Sequence, residues 1–239
     1  MLKMIRERVK ERCDETILCP PCLVSFINPY SYLQLRKNQN WLKGIDTLFI
    51  DGVAMVWLFR LVGFGPVERV SFDSTSLAPL VFDAIEHDNK SIFFVGAREG
   101  EVERATNHWK NSWPNMRVIG ARNGYFCSAD ERDSFLDELV VINPDVIVVG
   151  MGAVLQEKFL SDLYMKSWRG MGFTCGGYIH QTALFGINYY PKLIDRYNLR
   201  WLYRIIREPK LISRYLISYP LFLVLFMVDL LKYKLCVRK

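Results

Sequence analysis

The chain has 239 residues, of which 51% are apolar and 23% charged, and its net charge is +6. That balance fits one globular core, with or without an appendage, and excludes a disordered or low-complexity chain. Cys19-Pro-Pro-Cys22 has no second ligand pair at zinc spacing, so the six cysteines read as ordinary thiols of a reducing compartment.

Residues 1–14 read as a short charged helix or arm, with no signal-peptide pattern. A strand is predicted over 23–27, ending at Asn28-Pro29, and a helix over 31–42. A second strand over 47–50 runs into Asp51-Gly52, and a largely apolar helix follows over 53–62. The next helix is placed at 74–88, then a strand at 91–95 ending in Gly96 and a helix at 101–113 halted by Pro114. A strand at 117–120 precedes a helix at 128–143, with Ser128 as N-cap and Glu131 closing a capping box. The clearest strand, 145–150, leads to a helix at 155–165, and a last strand at 172–175 precedes Gly176-Gly177. Apolar strands alternating with helices indicate an α/β fold: a parallel sheet covered on both faces.

Beyond Tyr190 the pattern changes, which places a core at 1–190 and an appendage at 191–239. Residues 196–214 hold six basic residues against one acid, Glu208. The apolar stretch 215–231 is interrupted by Pro220 and Asp229 and falls short of the roughly 20 residues of a spanning helix. It reads as a helix on an anionic membrane surface, with the basic end including Arg238 and Lys239 against headgroups. A short span and a C-terminal core helix are the alternatives. No motif that reads DNA or RNA accompanies the charge, so nucleic acid is not an expected partner.

In an open parallel sheet, ligands bind beyond the carboxyl ends of the strands. The residues there are Asn28, Asp51, Gly96, Asn123-Gly124-Tyr125, Gly150-Met151-Gly152 and Gly176-Gly177. Glycines at such turns let backbone N–H groups approach a phosphate. Neither a dinucleotide fingerprint nor a P-loop is present. Asp51 can take a proton from an attacking hydroxyl or cap the next helix. Arg69 can bind a ligand oxygen or form a salt bridge. Gln156 can hold sugar hydroxyls or sit solvated in a first helical turn, and Glu157 can complement the helix dipole. Arg200, Arg204 and Arg207 share one helical face, suited to a diphosphate or to solvent near lipid. His87, His108 and His180 share no metal-ligand spacing, no acidic pair is placed to hold a divalent ion, and no metal or other cofactor is expected.

Eight pieces, in order, resemble the WecG/TagA/CpsF glycosyltransferases of bacterial surface-polysaccharide assembly. They are INP (27–29), IDGVAMVW (50–57), VERVS (67–71), FFVGA (93–97), NGYF (123–126), PDVIVVGMGAVLQE (144–157), CGGY (175–178) and LRWLYRIIREP (199–209). The resemblance implies a Rossmann-like core with a membrane-meeting C-terminal appendage. It implies inverting transfer from a UDP-sugar to a sugar linked to a lipid diphosphate, at the cytoplasmic membrane face and without a metal. On it, Asp51 is the base, and Asn28, Arg69 and Gln156 line the acceptor pocket. Tyr125 packs on uracil, Arg204 and Arg214 meet the diphosphate, and Gly96, Gly124, Gly150, Gly152 and His180 lie on the donor side. The chain departs from the family at Phe26, where many members carry a hydroxyl. His180 stands for a carboxylate, and Leu211 stands for an arginine with Lys210 beside it. A homo-oligomer is a further expectation, and a membrane-docked nucleotide-binding protein without transfer is the alternative activity.

Overall fold

The computed structural model describes residues 1–12, 18–197 and 199–237. Cys13, the Lys210 side chain, Arg238 and Lys239 therefore lie outside the described residues. Six strands form one parallel sheet in the order β2-β1-β6-β5-β3-β4. In chain order they are β1 (Cys22–Ile27), β2 (Thr47–Ile50), β3 (Ser91–Gly96), β4 (Arg117–Arg122), β5 (Val146–Gly150) and β6 (Met171–Thr174). Every residue of β1, β2, β3, β5 and β6 is buried, whereas β4 at the edge is partly open. Helices on both faces make that burial possible, and it explains continuous apolar runs in place of alternation.

Alternate strand residues feed two cores. Leu23, Ile27, Leu48, Ile50, Ile147 and Val149 face one, and Val24, Phe26, Phe49, Phe94, Val148 and Phe173 the other. The covering helices are α1 (Leu2–Arg8), α2 (Pro29–Lys37), α3 (Val53–Leu61), α4 (Leu77–His87), α5 (Glu101–Ser112), α6 (Ala129–Ile142), α7 (Leu155–Met165) and α8 (Tyr178–Phe185).

Four local outcomes differ from the sequence pattern. The helix expected over 31–42 is α2, closed at Asn38, followed by a 3-10 helix at Gln39–Gly44. The helix expected from 74 starts at Leu77, because Asp73 Oδ1 accepts the Thr75 N–H at 2.9 Å and holds a turn there. Helix α8 was not anticipated: most of its side chains are buried, so no polar face marks its period. Ser128 caps α6 as expected, but Glu131 reaches the Cys127 N–H, one residue before the cap.

After α8 come α9 (Lys192–Arg196), α10 (Arg200–Arg207) and, past a π-helical turn at Arg214–Ser218, α11 (Tyr219–Val237). Helix α11 returns to the body of the protein. Phe222, Phe226 and Leu230, one per turn, are buried in the first core. Tyr32 packs on Phe222 and Phe226 with ring centroids 5.1 and 5.8 Å apart, and Phe59 lies 5.7 Å from Phe226. Asp229 accepts hydrogen bonds from Arg36 Nε (2.8 Å), Arg36 Nη2 (3.0 Å) and the Tyr32 hydroxyl (2.8 Å). The apparent interruption of an apolar stretch is thus the polar clasp that fixes its rotation. The outward side of α11 carries Leu223, Val224, Met227, Val228, Leu231 and Leu235, all exposed.

Phe226→Ala is expected to cost about 3–5 kcal/mol, as for a large core truncation. Urea unfolding followed by circular dichroism reads the loss, and an unchanged midpoint would contradict the docking of α11.

Candidate active site

Asp51 directly follows β2, and its backbone N–H donates to Ile27 O at 2.8 Å, extending the β1–β2 ladder by one step. On the other side, Ile50 bridges to Arg69 in parallel and Val70 N donates to Ile50 O at 3.0 Å. The backbone therefore stands Asp51 between Asn28 and Arg69. Gly52 follows with φ +97°, a conformation a side chain would strain, and it starts α3 without any side-chain cap. Asp51 is thus not a capping residue. Its carboxylate lies 3.7 Å from Arg69 Nη1, too long for a hydrogen bond, and keeps 32% of its side-chain surface open.

A second carboxylate, Asp73, stands nearby in a different state. It accepts from Ser71 Oγ (2.6 Å), Thr75 N (2.9 Å), Thr75 Oγ1 (2.7 Å) and Arg200 Nη1 (2.8 Å). Burial raises the Asp73 pKa, but Arg200 and the Ser71 and Thr75 hydrogen bonds outweigh it and hold the group below the usual carboxylate range. Asp51 goes the other way. Burial raises it, Asp73 adds to the rise, and Arg69, Arg204 and Arg200 offset only part. Paired acids whose surroundings push them apart mark a division of roles. Asp73 is a fixed anion, and Asp51 is a carboxylate with unfilled hydrogen-bonding capacity and raised basicity.

The C-terminal helices close over this point. Arg204 reaches to 4.0 Å from where a Cβ on Gly177 would stand, and its buried Nε has no hydrogen-bond partner among the described residues. The hydroxyls of Tyr190, Tyr215 and Tyr219 all feel the Asp51 charge, and burial before that charge raises each of their pKa values. The three arginines expected to gather one anion are instead divided. Arg200 is bound to Asp73, Arg204 faces the cleft, and Arg207 lies over the Tyr203 and Phe185 rings. Arg214 stacks 3.9 Å above the Tyr30 ring in the first turn of α2, beside the Asn28 cap.

Asn28 Oδ1 accepts the Ser31 N–H at 2.9 Å, and Ser31 Oγ accepts the Asn28 N–H at 2.9 Å, so this side chain is fixed as a cap. Gln156 is buried, not solvated, and its amide is engaged on both sides: Oε1 accepts from Gly176 N (3.1 Å) and Nε2 donates to Glu157 (3.1 Å). Glu157 stands in the first turn of α7, but inside the protein. It is fully buried and accepts from Ser25 Oγ (2.8 Å) and Val154 N (2.6 Å). Burial raises its pKa, against the hydrogen bonds from Gln156 and Ser25. Val154 there adopts φ +80°, rare for a β-branched residue, so the hydrogen bond clamps a strained turn.

The glycines divide as well. A Cβ on Gly96 would stand 2.5 Å from Gly150 O, one on Gly124 3.0 Å from Gly96 Cα, and one on Gly150 2.9 Å from Cys175 Sγ. Those glycines let adjacent strand ends touch, which is a packing reason distinct from ligand approach. Gly152 and Gly176, both at positive φ, face open space. Tyr125 is 66% exposed on the β4–α6 loop, and His180 Nδ1 lies 3.0 Å from Glu101 Oε2 at the start of α5. Among the described residues no cluster of His, Cys, Asp or Glu has the makings of a metal site.

The six-stranded parallel sheet with helices on both faces defines a Rossmann-like α/β protein, and Asp51, Asp73 and their arginines gather near the end of β2. The chain belongs to the WecG/TagA/CpsF family of glycosyl transferases, whose profile matches residues 2–235. It is 36% identical over 207 residues to a UDP-Gal:alpha-D-GlcNAc-diphosphoundecaprenol beta-1,4-galactosyltransferase of Shigella boydii, covering 87% of this chain and 86% of that protein. It is 23% identical to an N-acetylglucosaminyldiphosphoundecaprenol N-acetyl-beta-D-mannosaminyltransferase of Bacillus spizizenii, covering 76% of this chain and 70% of that protein. The protein of the same description from Bacillus subtilis is 22% identical, over 78% of this chain and 72% of its own length.

Asp73→Asn removes the buried anion bound by Arg200, a loss of about 3–5 kcal/mol at pH 7. Because the folded Asp73 pKa is depressed, this stabilisation is complete above the unfolded value of about 3.9 and disappears as pH falls through the folded one. Urea unfolding of wild type and variant should show a steady gap near pH 7 that narrows as pH falls below about 3.9. A constant difference would contradict the ion pair.

Proposed function

We propose that this protein transfers a sugar, with inversion, from a UDP-sugar to a sugar carried on a polyprenyl diphosphate in surface or exopolysaccharide assembly. The observation that carries the reading is the Asp51 carboxylate at the end of β2, one-third open and without a hydrogen bond among the described residues, 3.7 Å from Arg69. The acceptor hydroxyl gives its proton to Asp51 as its oxygen attacks the anomeric carbon. The bond from that carbon to UDP breaks, and the electron pair leaves with the diphosphate. Inversion needs one base opposite the leaving group, and Asp73, committed to Arg200, does not compete for the proton.

Asn28 and Arg69 flank the acceptor hydroxyl, and Gln156 shapes the pocket by tying the β5 and β6 turns together. On the donor side, Gly152 and Gly176 leave room for the diphosphate, with Gly96, Gly124 and Gly150 forming the floor. Tyr125 offers an aromatic face to uracil and His180 a hydrogen bond. Arg204 and Arg214 neutralise departing charge in place of a metal. The acceptor's lipid makes the cytoplasmic face of the inner membrane the working site. The outward apolar side of α11 suits a helix lying in that surface, since its opposite side is occupied by the core.

Asp51→Asn should lower turnover with UDP-galactose and GlcNAc-diphospho-lipid by about a hundredfold or more, as for loss of a general base. UDP affinity by calorimetry should persist, and chelator should leave the wild-type rate unchanged. Wild-type protein inert toward every UDP-sugar tried would overturn the reading in favour of a non-transferring nucleotide binder. For the membrane, Leu223→Glu with Met227→Glu should abolish co-sedimentation with phosphatidylglycerol vesicles. Undiminished pelleting would place the contact elsewhere.

A further inference from the structure

Arg69 has two polar side-chain neighbours among the described residues: Asp51 at 3.7 Å and Ser71 Oγ at 3.1 Å. Only the second is a hydrogen bond, so Ser71, not Asp51, sets where the guanidinium rests. The Ser71 hydroxyl has one proton, which goes to Asp73 Oδ2 at 2.6 Å, leaving its lone pairs for Arg69. The same Oδ2 accepts Arg200 Nη1 at 2.8 Å, and Arg200 Nη2 also contacts Thr75 Oγ1. A continuous line of contacts thus runs from α10 to the carboxylate after β2.

The line contains a competition. Asp73 lies two residues beyond Ser71, and a bare anion there would draw Arg69 toward itself. Arg200 prevents this by neutralising Asp73 from a helix far along the chain, 127 positions away. We propose that Arg200, Asp73 and Ser71 form a positioning relay, through which docking of α10 leaves Arg69 free to stand beside Asp51. Arg200 on this account touches no substrate and acts through Arg69. The inference rests on Asp51 being the base of the proposed transfer, but its geometry does not.

The charged and titratable groups that face Asp51 are Arg69 from the bridge beside β2, Asp73 from the turn before α4, Arg200 and Arg204 from α10, and the hydroxyls of Tyr190, Tyr215 and Tyr219. Arg200→Gln removes a cation from this field and unleashes Asp73 on Arg69. Adding Asp73→Asn removes the competing anion and leaves two neutral groups able to hydrogen-bond. The turnover of Arg200→Gln should fall about tenfold or more, as for a misplaced active-site group, with donor KM unchanged. Its Asp51 carboxyl should titrate higher by about one pH unit, as on loss of a neighbouring cation. The Arg200→Gln/Asp73→Asn pair should recover most of both changes.

A merely structural role predicts the reverse, a double variant at least as impaired as the single. Carboxyl-carbon NMR titration of Asp51 reads the relay without turnover, so failure of the transferase reading and failure of the relay are distinguishable. If Arg200→Gln does not fold, Ser71→Ala breaks the line with no change of charge and should shift the Asp51 titration, with Ser71→Thr restoring it. An Asp51 titration unmoved by these changes, or no recovery in the double variant, overturns the relay.

Discussion

The ion pair between Arg200 and Asp73 is the contact on which the rest of the site depends. It is buried on both sides and supported by Ser71 and Thr75, so its desolvation is met by hydrogen bonds as well as by charge. It places the C-terminal helices over the strand ends. It also occupies one of two neighbouring carboxylates and leaves Asp51 with no hydrogen-bonded partner for its side chain among the described residues. The proposed chemistry follows from that asymmetry, because a base must be both basic and unoccupied.

The C-terminal segment joins two physical problems. Its first part brings Arg204, Tyr215 and Tyr219 near the Asp51 carboxylate. Its last part, α11, uses a narrow seam of Phe222, Phe226 and Leu230 to attach itself, with Asp229 clasped by Arg36 and Tyr32. The remaining apolar surface of the helix points outward. On the proposed reading, one docking event would fix the arginines over the nucleotide and set the apolar side toward lipid, so the substrate's diphosphate and its tail are met by adjoining parts of one segment.

Much of this was legible in the sequence. The strands declared themselves as β-branched and aromatic runs ending in Gly, Asn or Asp, and those endings located the crevice. Asp51 and Arg69 were noticed for their places near β2, and the structure brings them together. What escaped depended on long-range pairing. Asp73 draws no notice in the sequence, because nothing local ties it to Arg200, 127 positions away. Glu157 looked like a first-turn helix acid, because the space it fills is created by β1 and β6. The glycines at strand ends read as openings for a phosphate, whereas Gly96, Gly124 and Gly150 let neighbouring strand ends pack together. Asp229 reads locally as a flaw in an apolar stretch, because its partner Arg36 is 193 positions away.

Chemical rescue tests the central claim most directly. Asp51→Ala and Asp73→Ala would be assayed for sugar transfer with and without added formate, a small carboxylate able to take the place of the missing base. The account predicts that formate restores turnover to Asp51→Ala and does nothing for Asp73→Ala. Full activity of Asp51→Ala without formate, or rescue confined to Asp73→Ala, would contradict it.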